Sequence, residues 1–265
     1  MDPSTPSGAT ALDVQLQQYL RGAAARDRQV ERVGPFTATF DPHSTIPYLS
    51  YAIPDIGARP TLDDVAELVD AYARHDRVPR LEYLPAAAPA VEAVLLAAGF
   101  AVEARLPVMT CVAGAAAEVA PDDGLAITEP RSDEEFRAMR EAQHAAFGQT
   151  GEPPEPGAVE RQRERLAAGG LAFLARDTAT GAVVGGGVAT VPRDGVTEVA
   201  GIGVLESHRR RGIAAAITAA LARAAFAAGT TTVWLTPGHD GAHRVYLRAG
   251  FADTTDMVHI SKAAE

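Results

Sequence analysis

The sequence has one cysteine, Cys111, and one lysine, Lys262, among its 265 residues. A single cysteine excludes an intramolecular disulfide framework, and we expect it to be a small buried apolar residue rather than a nucleophile. No apolar run approaches the roughly 20 residues that a helix needs to cross a bilayer, so no membrane contact is expected. The first residues, MDPSTPSGAT, are polar and acidic, unlike a secretory signal, which favours a cytoplasmic protein.

Positive charge is also scarce, because the formal net charge is −10. A nucleic-acid-binding protein usually presents a basic face, so no nucleic-acid partner is expected. The acidic balance suits a cationic acceptor such as an amine, and it equally serves to keep the protein in solution. The glycine run Gly185–Gly187 is not a dinucleotide-binding motif, since it lies inside a strand pattern rather than before a helix. No histidine, cysteine or carboxylate spacing is typical of a metal site.

The order of helical and strand patterns predicts an α/β protein with a mixed sheet packed by helices. We expect a disordered lead-in over residues 1–10, a first domain over 11–112, a linker over 113–124 and a second domain over 125–265. The linker is expected because AGAAAEVAPDDG is small, acidic and interrupted by a proline. In the first domain, residues 11–30 are predicted as a helix and YLSYAI (48–53) as a buried strand.

The two halves resemble each other at an offset of 151 residues. LEYLPAAAPAVEAVLLAAGF (81–100) aligns without a gap with TVWLTPGHDGAHRVYLRAGF (232–251), and both end in Ala-Gly-Phe. The same frame aligns residues 48–53 with the strand VAGIGV. An unbroken frame through strand and helix patterns predicts that the halves share a fold.

One segment of the second half combines an apolar strand, an arginine-rich turn and a helix. In TEVAGIGVLESHRRRGIAAAITAALARAAF (197–226) the strand ends at Val204 and the helix follows Gly212. A helix start offers unpaired N–H groups and the positive end of the helix dipole, which favour a bound phosphate. Positive side chains there are unfavourable by about 0.3–1 kcal/mol each, a cost that a bound anion would offset. The segment therefore predicts an anion-binding loop.

The pattern Arg209-x-x-Gly212-x-Ala214 after an apolar strand resembles the pyrophosphate loop of the GNAT acetyltransferases, Gln/Arg-x-x-Gly-x-Gly/Ala. With TVWLT…YLRAGF as a second motif, the resemblance covers about residues 125–262. It implies a GNAT fold, acetyl-CoA as cosubstrate without a metal, and transfer of the acetyl group to a primary amine of a small molecule or peptide. It also implies a coenzyme site formed by Ile202, Gly203 and Val204 along the pantetheine arm and by Arg209, Arg210, Arg211, Gly212, Ile213, Ala214 and Ala215 around the pyrophosphate.

The resemblance further implies catalytic residues. Tyr246, in YLRAGF, matches the tyrosine that protonates the departing thiolate, although a tyrosine packed in the core would fit the same pattern. Glu198 matches the glutamate that removes the amine proton in histone-type members, with a solvent-exposed strand-end glutamate as the alternative. Glu206 and Glu152 are weaker candidates, and some members use a water relay. His239 stands where many members have an asparagine that contacts the coenzyme, and an imidazole can still donate a hydrogen bond.

The first half has no equivalent of the anion loop. The repeat frame aligns Arg59-Pro60-Thr61-Leu62-Asp63 with the loop, and Asp63 and Asp64 would repel a pyrophosphate. We therefore expect a tandem protein with a degenerate and a complete GNAT-like domain, acting as a monomer or homodimer. Alternatives are a coenzyme-A-binding regulator without activity, a transferase of longer acyl groups and a protein-interaction module. Glu152 and Glu155, in the loop GQTGEPPEPG, hint at a cationic acceptor.

Overall fold

A computed structural model describes residues 6, 8–42, 45–148 and 157–263 of the chain. The helices in these ranges are α1 (Ala11–Ala24), α2 (Leu62–Arg74), α3 (Val91–Ala97), α4 (Asp133–Ala146), α5 (Ala158–Ala167), α6 (Ile213–Ala227) and α7 (Asp240–Arg248). The strands are β1 (Gln29–Val33), β2 (Phe36–Phe40), β3 (Ala52–Pro54), β4 (Arg80–Tyr83), β5 (Ala101–Val112), β6 (Leu125–Thr128), β7 (Leu171–Asp177), β8 (Val183–Ala189), β9 (Val196–Val204), β10 (Thr232–Leu235) and β11 (Ala252–Ser261). The expected mixed α/β class is confirmed.

Two compact units divide the chain, one of residues Met1–Val108 and Thr254–Glu265 and the other of Met109–Asp253. In the first unit the strand order is β1-β2-β3-β4-β11. Strands β3 and β4 are parallel, whereas β11 runs antiparallel to β4. The amphipathic helix α2 buries Val65, Leu68 and Tyr72 in the core of this unit. Burial of such side chains contributes about 1.5–3 kcal/mol each.

The second unit contains a mixed sheet in the order β5-β10-β9-β8-β7-β6, to which β5 contributes Met109–Val112. Strands β10 and β9 are parallel, and β6, β7, β8 and β9 form an antiparallel meander. Helix α6 packs on one face, where a Cβ on Gly187 would meet Ile217 and Leu221. Helix α4 packs on the other face, where a Cβ on Gly186 would meet Met139. These glycines therefore allow both helices to pack closely against β8.

The predicted repeat is visible in the elements. Helix α2 begins at Leu62 and α6 at Ile213, and β5 begins at Ala101 and β11 at Ala252, each pair 151 residues apart. Strand β11 pairs antiparallel with β4 in the first unit, and the end of β5 pairs antiparallel with β10 in the second unit. The two units therefore place an antiparallel strand beside equivalent strands of the repeat. The sequence predicted a second domain that includes β11. In the structure, residues from Thr254 onwards belong to the first unit, because Val258–Ser261 pair with β4.

Three predictions about local structure differ from the observed chain. Helix α1 ends at Ala24 rather than near residue 30, and residues 48–53 are not one strand. A 3-10 turn at Pro47–Leu49 precedes the short β3, since Pro47 starts a turn and has no N–H for a sheet ladder. Residues 113–124, called the connector below, have no helix or strand, but Ala116 and Val119 pack against the core of the second unit. Among the described residues no helix is long and apolar enough to cross a membrane.

Candidate functional site

Two parallel strands separate at the centre of the second unit. Strands β9 and β10 pair from Val196↔Thr232 to Glu198↔Trp234. Beyond this point β9 continues to Val204, while Leu235 of β10 pairs with Met109 of β5 instead. The separation leaves the second half of β9 without a strand partner on the β10 side. Unpaired backbone groups at such an edge can hydrogen-bond an extended ligand.

A cavity of about 660 Å³ adjoins the separated end of β9. It is lined by Ile202, Gly203, Val204, Arg209, Arg210, Gly212, Ile213, Ala214, Ala215, His239 and Tyr246, which are eleven of the thirteen predicted site residues. The other lining residues are Ala146, Phe147, His208, Gly238, Gly241, Ala242, Val245 and Arg248. Among the described residues that line the cavity there is no aspartate or glutamate, although the chain carries a net charge of −10. The cavity therefore suits an anion in an otherwise acidic protein.

The turn before α6 leaves backbone donors available at the cavity. Gly212 is the N-cap of α6 with a φ of 73°, and no side chain caps this helix start. A left-handed φ is accessible to glycine without steric cost. Arg210 also has a positive φ of 65°, which costs an L-residue about 1–2 kcal/mol. Uncapped N–H groups and the dipole of a helix favour a bound anion, so this helix start has the donors that the predicted anion-binding loop needs.

The three arginines of the loop point in different directions. Arg209 donates from Nη2 to the carbonyl of Ala146 at 2.9 Å and from Nε to the carbonyl of Val204 at 3.2 Å. Arg211 does not line the cavity, because its guanidinium donates to the connector at the carbonyl of Asp123, at 3.3 Å. Arg210 lines the cavity and makes no ion pair within the described part of the chain.

A β-bulge in β9 changes which face its side chains occupy. Ala200 pairs with Val188 and Gly203 with Gly186, so Gly201 and Ile202 together oppose Gly187. Gly201 takes a φ of 64° and its carbonyl accepts a 2.6 Å hydrogen bond from Gln143 Nε2 of α4. The extra residue reverses the alternation of side chains, as in other bulges. The bulge therefore puts Glu198 and Ile202 on opposite faces of the sheet, whereas regular alternation along a strand would put them on the same face.

Glu198 lies at the last paired position before β9 and β10 separate, but it does not line the cavity. Its neighbour Val199 pairs with Ala189 on the face that α6 covers. Strand alternation then puts the Glu198 side chain on the opposite face, which α4 covers. Its backbone N–H donates to the hydroxyl of Thr190 at 3.0 Å. Glu206, the second candidate, is in the 3-10 turn Glu206–His208 after β9, and Glu152 and Glu155 lie outside the described residues.

Tyr246 and His239 reach the cavity from α7. The Tyr246 ring lies 6.5 Å from that of Phe251, and burial raises the pKa of its hydroxyl above the ordinary value of 10. The phenol is therefore protonated at neutral pH. Nδ1 of His239 accepts a 3.2 Å hydrogen bond from the backbone N–H of Ala242 and so caps α7. This bond assigns the ring proton to Nε2, which leaves a donor for a ligand.

Sequence reasoning missed several residues of the cavity. Arg248 adds a third exposed arginine to the lining, and it lies two residues after Tyr246 in the motif already recognised. Phe147, 56% exposed at the end of α4, gave no signal, because an isolated aromatic residue at a helix end has many explanations. His208 also lines the cavity and pairs with Asp177 at 3.5 Å. Its proximity to the arginine triplet was the available signal.

The equivalent helix start in the first unit, that of α2, is capped by side chains. Thr61 caps α2, its hydroxyl accepting from the N–H of Asp64, and the Asp64 carboxylate accepts from the N–H of Thr61. This capping box satisfies donors that α6 leaves free and adds a negative charge at the same point. The two helix starts therefore differ in free donors and in charge, and the absence of a coenzyme site from the first half stays a prediction.

Other chemical sites receive no support from the described residues. They contain no cluster of three or more histidine, cysteine, aspartate or glutamate side chains able to hold a metal ion. Cys111 is buried, and burial raises the pKa of its thiol to about 11. A protonated thiol is a poor nucleophile, which fits a packing role.

Comparison with known proteins agrees with this geometry. Residues 136–251 match the model of the acetyltransferase (GNAT) family. A GCN5-related N-acetyltransferase from Kribbella flavida is 28% identical, with 97% of this chain and 98% of that chain covered and a TM-score of 0.80. A tandem GNAT protein from the clavulanic acid biosynthesis pathway is 15% identical, with 98% of both chains covered and a TM-score of 0.62. No curated protein sequence gave a significant match.

These likenesses extend beyond the matched segment, because both solved structures are covered almost completely. At 15% identity, the second likeness concerns the fold alone. Residues 136–251 thus resemble a GNAT acetyltransferase domain, and the whole chain is similar in fold to a GCN5-related N-acetyltransferase and to a tandem GNAT protein.

Proposed function

We propose that this protein is a cytoplasmic N-acetyltransferase that moves the acetyl group of acetyl-CoA directly to a primary amine of a small molecule or peptide. The observation that carries the proposal is the continuity of one cavity with three features. These are the separated edge of β9, the uncapped start of α6 and the half-buried phenol of Tyr246. A pyrophosphate suits the helix start, and an extended pantetheine arm suits the strand edge.

In the proposed reaction the amine nitrogen attacks the thioester carbonyl carbon, and the carbon–sulfur bond breaks as the amide forms. Backbone N–H groups at the end of β9 are available to stabilise the oxyanion. Tyr246 donates its proton to the departing thiolate, which its raised pKa permits because the phenol stays protonated. The attacking amine, largely protonated in water, first gives a proton to Glu198 or to a water that Glu198 holds.

Glu198→Gln tests the proposed base. The amide is similar in shape but cannot accept the amine proton, so we expect turnover to fall by about 100-fold at neutral pH. The loss should shrink as the pH rises, since more amine is then already deprotonated. Glu67→Gln is the control, because that exposed carboxylate belongs to α2 in the first unit. A turnover equal to that of the wild type would exclude Glu198 as the base.

Calorimetry with acetyl-CoA tests the coenzyme site, and a screen of primary amines for thiol release then tests the transfer. We expect saturable binding with one site per chain. Helices α2 and α6 are equivalent in the repeat, but the start of α2 is capped by side chains and the start of α6 is not. Two sites per chain would mean that the first unit also binds the coenzyme. Saturable binding without transfer to any amine would favour the alternative of a coenzyme-A-binding regulator.

A further inference from the structure

The connector, residues 113–124, is hydrogen-bonded to residues 209–215, which we call the coenzyme loop because they are assigned to the pyrophosphate in the proposed acetyltransferase. The backbone N–H of Asp122 donates to the carbonyl of Arg211 at 3.2 Å, and Arg211 Nη2 donates to the carbonyl of Asp123 at 3.3 Å. A Cβ on Gly212 would lie 3.5 Å from the carbonyl oxygen of Ala120, so the connector also packs against the loop glycine. Reciprocal backbone and side-chain bonds of this kind fix the path of Arg211.

Further bonds hold the connector itself in place. Arg223 of α6 donates to the carbonyl of Ala117, and the Ala117 N–H donates to the carbonyl of Ala249 at 3.1 Å. The connector is therefore bonded to the start of α6, to its middle and to the end of α7. The carboxylate of Asp122 lies 3.8 Å from Arg211 Nε and is 61% exposed, so this ion pair adds little. The backbone bonds carry the attachment.

We propose that Arg211 is a positioning residue that couples the connector to the coenzyme loop, and that Arg210 is the loop arginine that meets phosphate. Arg209 is bonded to Ala146 and Val204 on one side of Arg210, and Arg211 to the connector on the other. Between these attachments Arg210 is held in its left-handed conformation and lines the cavity. Such a backbone conformation persists only where the surroundings determine it. This inference rests on the proposed coenzyme site.

The test compares binding of acetyl-CoA at low and at physiological ionic strength. Arg211→Ala should weaken binding by about tenfold, because the loop loses one attachment and relaxes. Its dependence on salt should equal that of the wild type, since no charge that faces phosphate is removed. Arg210→Ala should weaken binding and also flatten the salt dependence. Arg193→Ala is the control, because this arginine, 52% exposed, lies before the other end of β9. It should change neither the affinity for acetyl-CoA nor its salt dependence.

A second pair of variants changes the connector side of the hydrogen bond between the Asp122 N–H and the Arg211 carbonyl. Asp122→Pro deletes the N–H that donates to Arg211, whereas Asp122→Ala deletes the carboxylate and keeps the N–H. We expect the proline variant to weaken acetyl-CoA binding and the alanine variant to bind nearly as the wild type does. Thermal melting identifies any variant that is unfolded at the assay temperature. If either Arg211→Ala or Asp122→Pro is unfolded, the acetyl-CoA affinity of the other one decides whether the connector positions the loop.

The outcomes separate the two proposals. Loss of affinity in Arg211→Ala with an unchanged salt dependence supports the positioning role. A flattened salt dependence in Arg211→Ala would show that Arg211 itself meets phosphate, and an unchanged affinity would show that the connector does not position the loop. Either result would overturn this inference and leave the acetyltransferase proposal intact. Failure of the wild type to bind acetyl-CoA would overturn both.

Discussion

Gly212→Glu is expected to reduce the affinity for acetyl-CoA by at least about 100-fold, since a carboxylate about 4 Å from a phosphate is worth several kcal/mol of repulsion at a partly buried site. Gly212 begins α6 at the cavity, and no side chain occupies this helix start. A glutamate there would bring a negative charge to the N–H groups that we assign to the pyrophosphate. Calorimetric titration with acetyl-CoA measures the loss.

Two variants separate charge from backbone strain. Gly212→Ala has the same φ of 73° without the carboxylate, so we expect it to retain most of the binding. Gly229→Glu adds a carboxylate at another glycine of positive φ, 92°, with open space around it after α6. That variant should bind acetyl-CoA as the wild type does. Equal affinity in Gly212→Glu and the wild type would refute the location of the coenzyme site.

Local patterns in the sequence were enough to predict the fold class, the repeat and the loop. The strand before Val204, the arginines and Gly212 form one contiguous segment, so their spacing determines where the helix starts and which backbone groups remain unpaired. The start of helix α2 could also be predicted from local sequence, because Thr61 and Asp64 form a capping box. Predictions succeeded where the determining contacts lie within a few residues along the chain.

Failures came from contacts between distant residues. Arg211 was predicted to face the coenzyme, but it bonds Asp123, 88 residues earlier. The bulge at Gly201 depends on Gln143 of α4, 58 residues away, and it moved Glu198 to the other face from Ile202. Residues Thr254–Ser261 joined the first unit through pairing with β4. A periodic pattern indicates that a strand exists, but neither its partner nor an irregularity within it.

Tyr246→Phe should lower turnover by about 100-fold while changing the affinity for acetyl-CoA by less than about twofold, because general acid catalysis by a positioned side chain contributes 10²–10⁴-fold. The substitution removes the hydroxyl and keeps the ring that packs near Phe251. Thiol release with the best amine from the screen measures turnover, and calorimetry measures affinity. Tyr48→Phe, at a tyrosine 51% exposed in the first unit, is the control.

The pH dependence distinguishes an acid from a packing residue. Burial raises the pKa of Tyr246 above 10, so the phenol keeps its proton across the neutral and mildly alkaline range. Wild-type turnover should therefore rise with pH as the amine loses its proton, and fall only above pH 10, where the phenol ionises. Tyr246→Phe should keep the rise and lose that fall. If turnover and affinity drop together instead, Tyr246 holds the shape of the cavity, and another donor must protonate the thiolate.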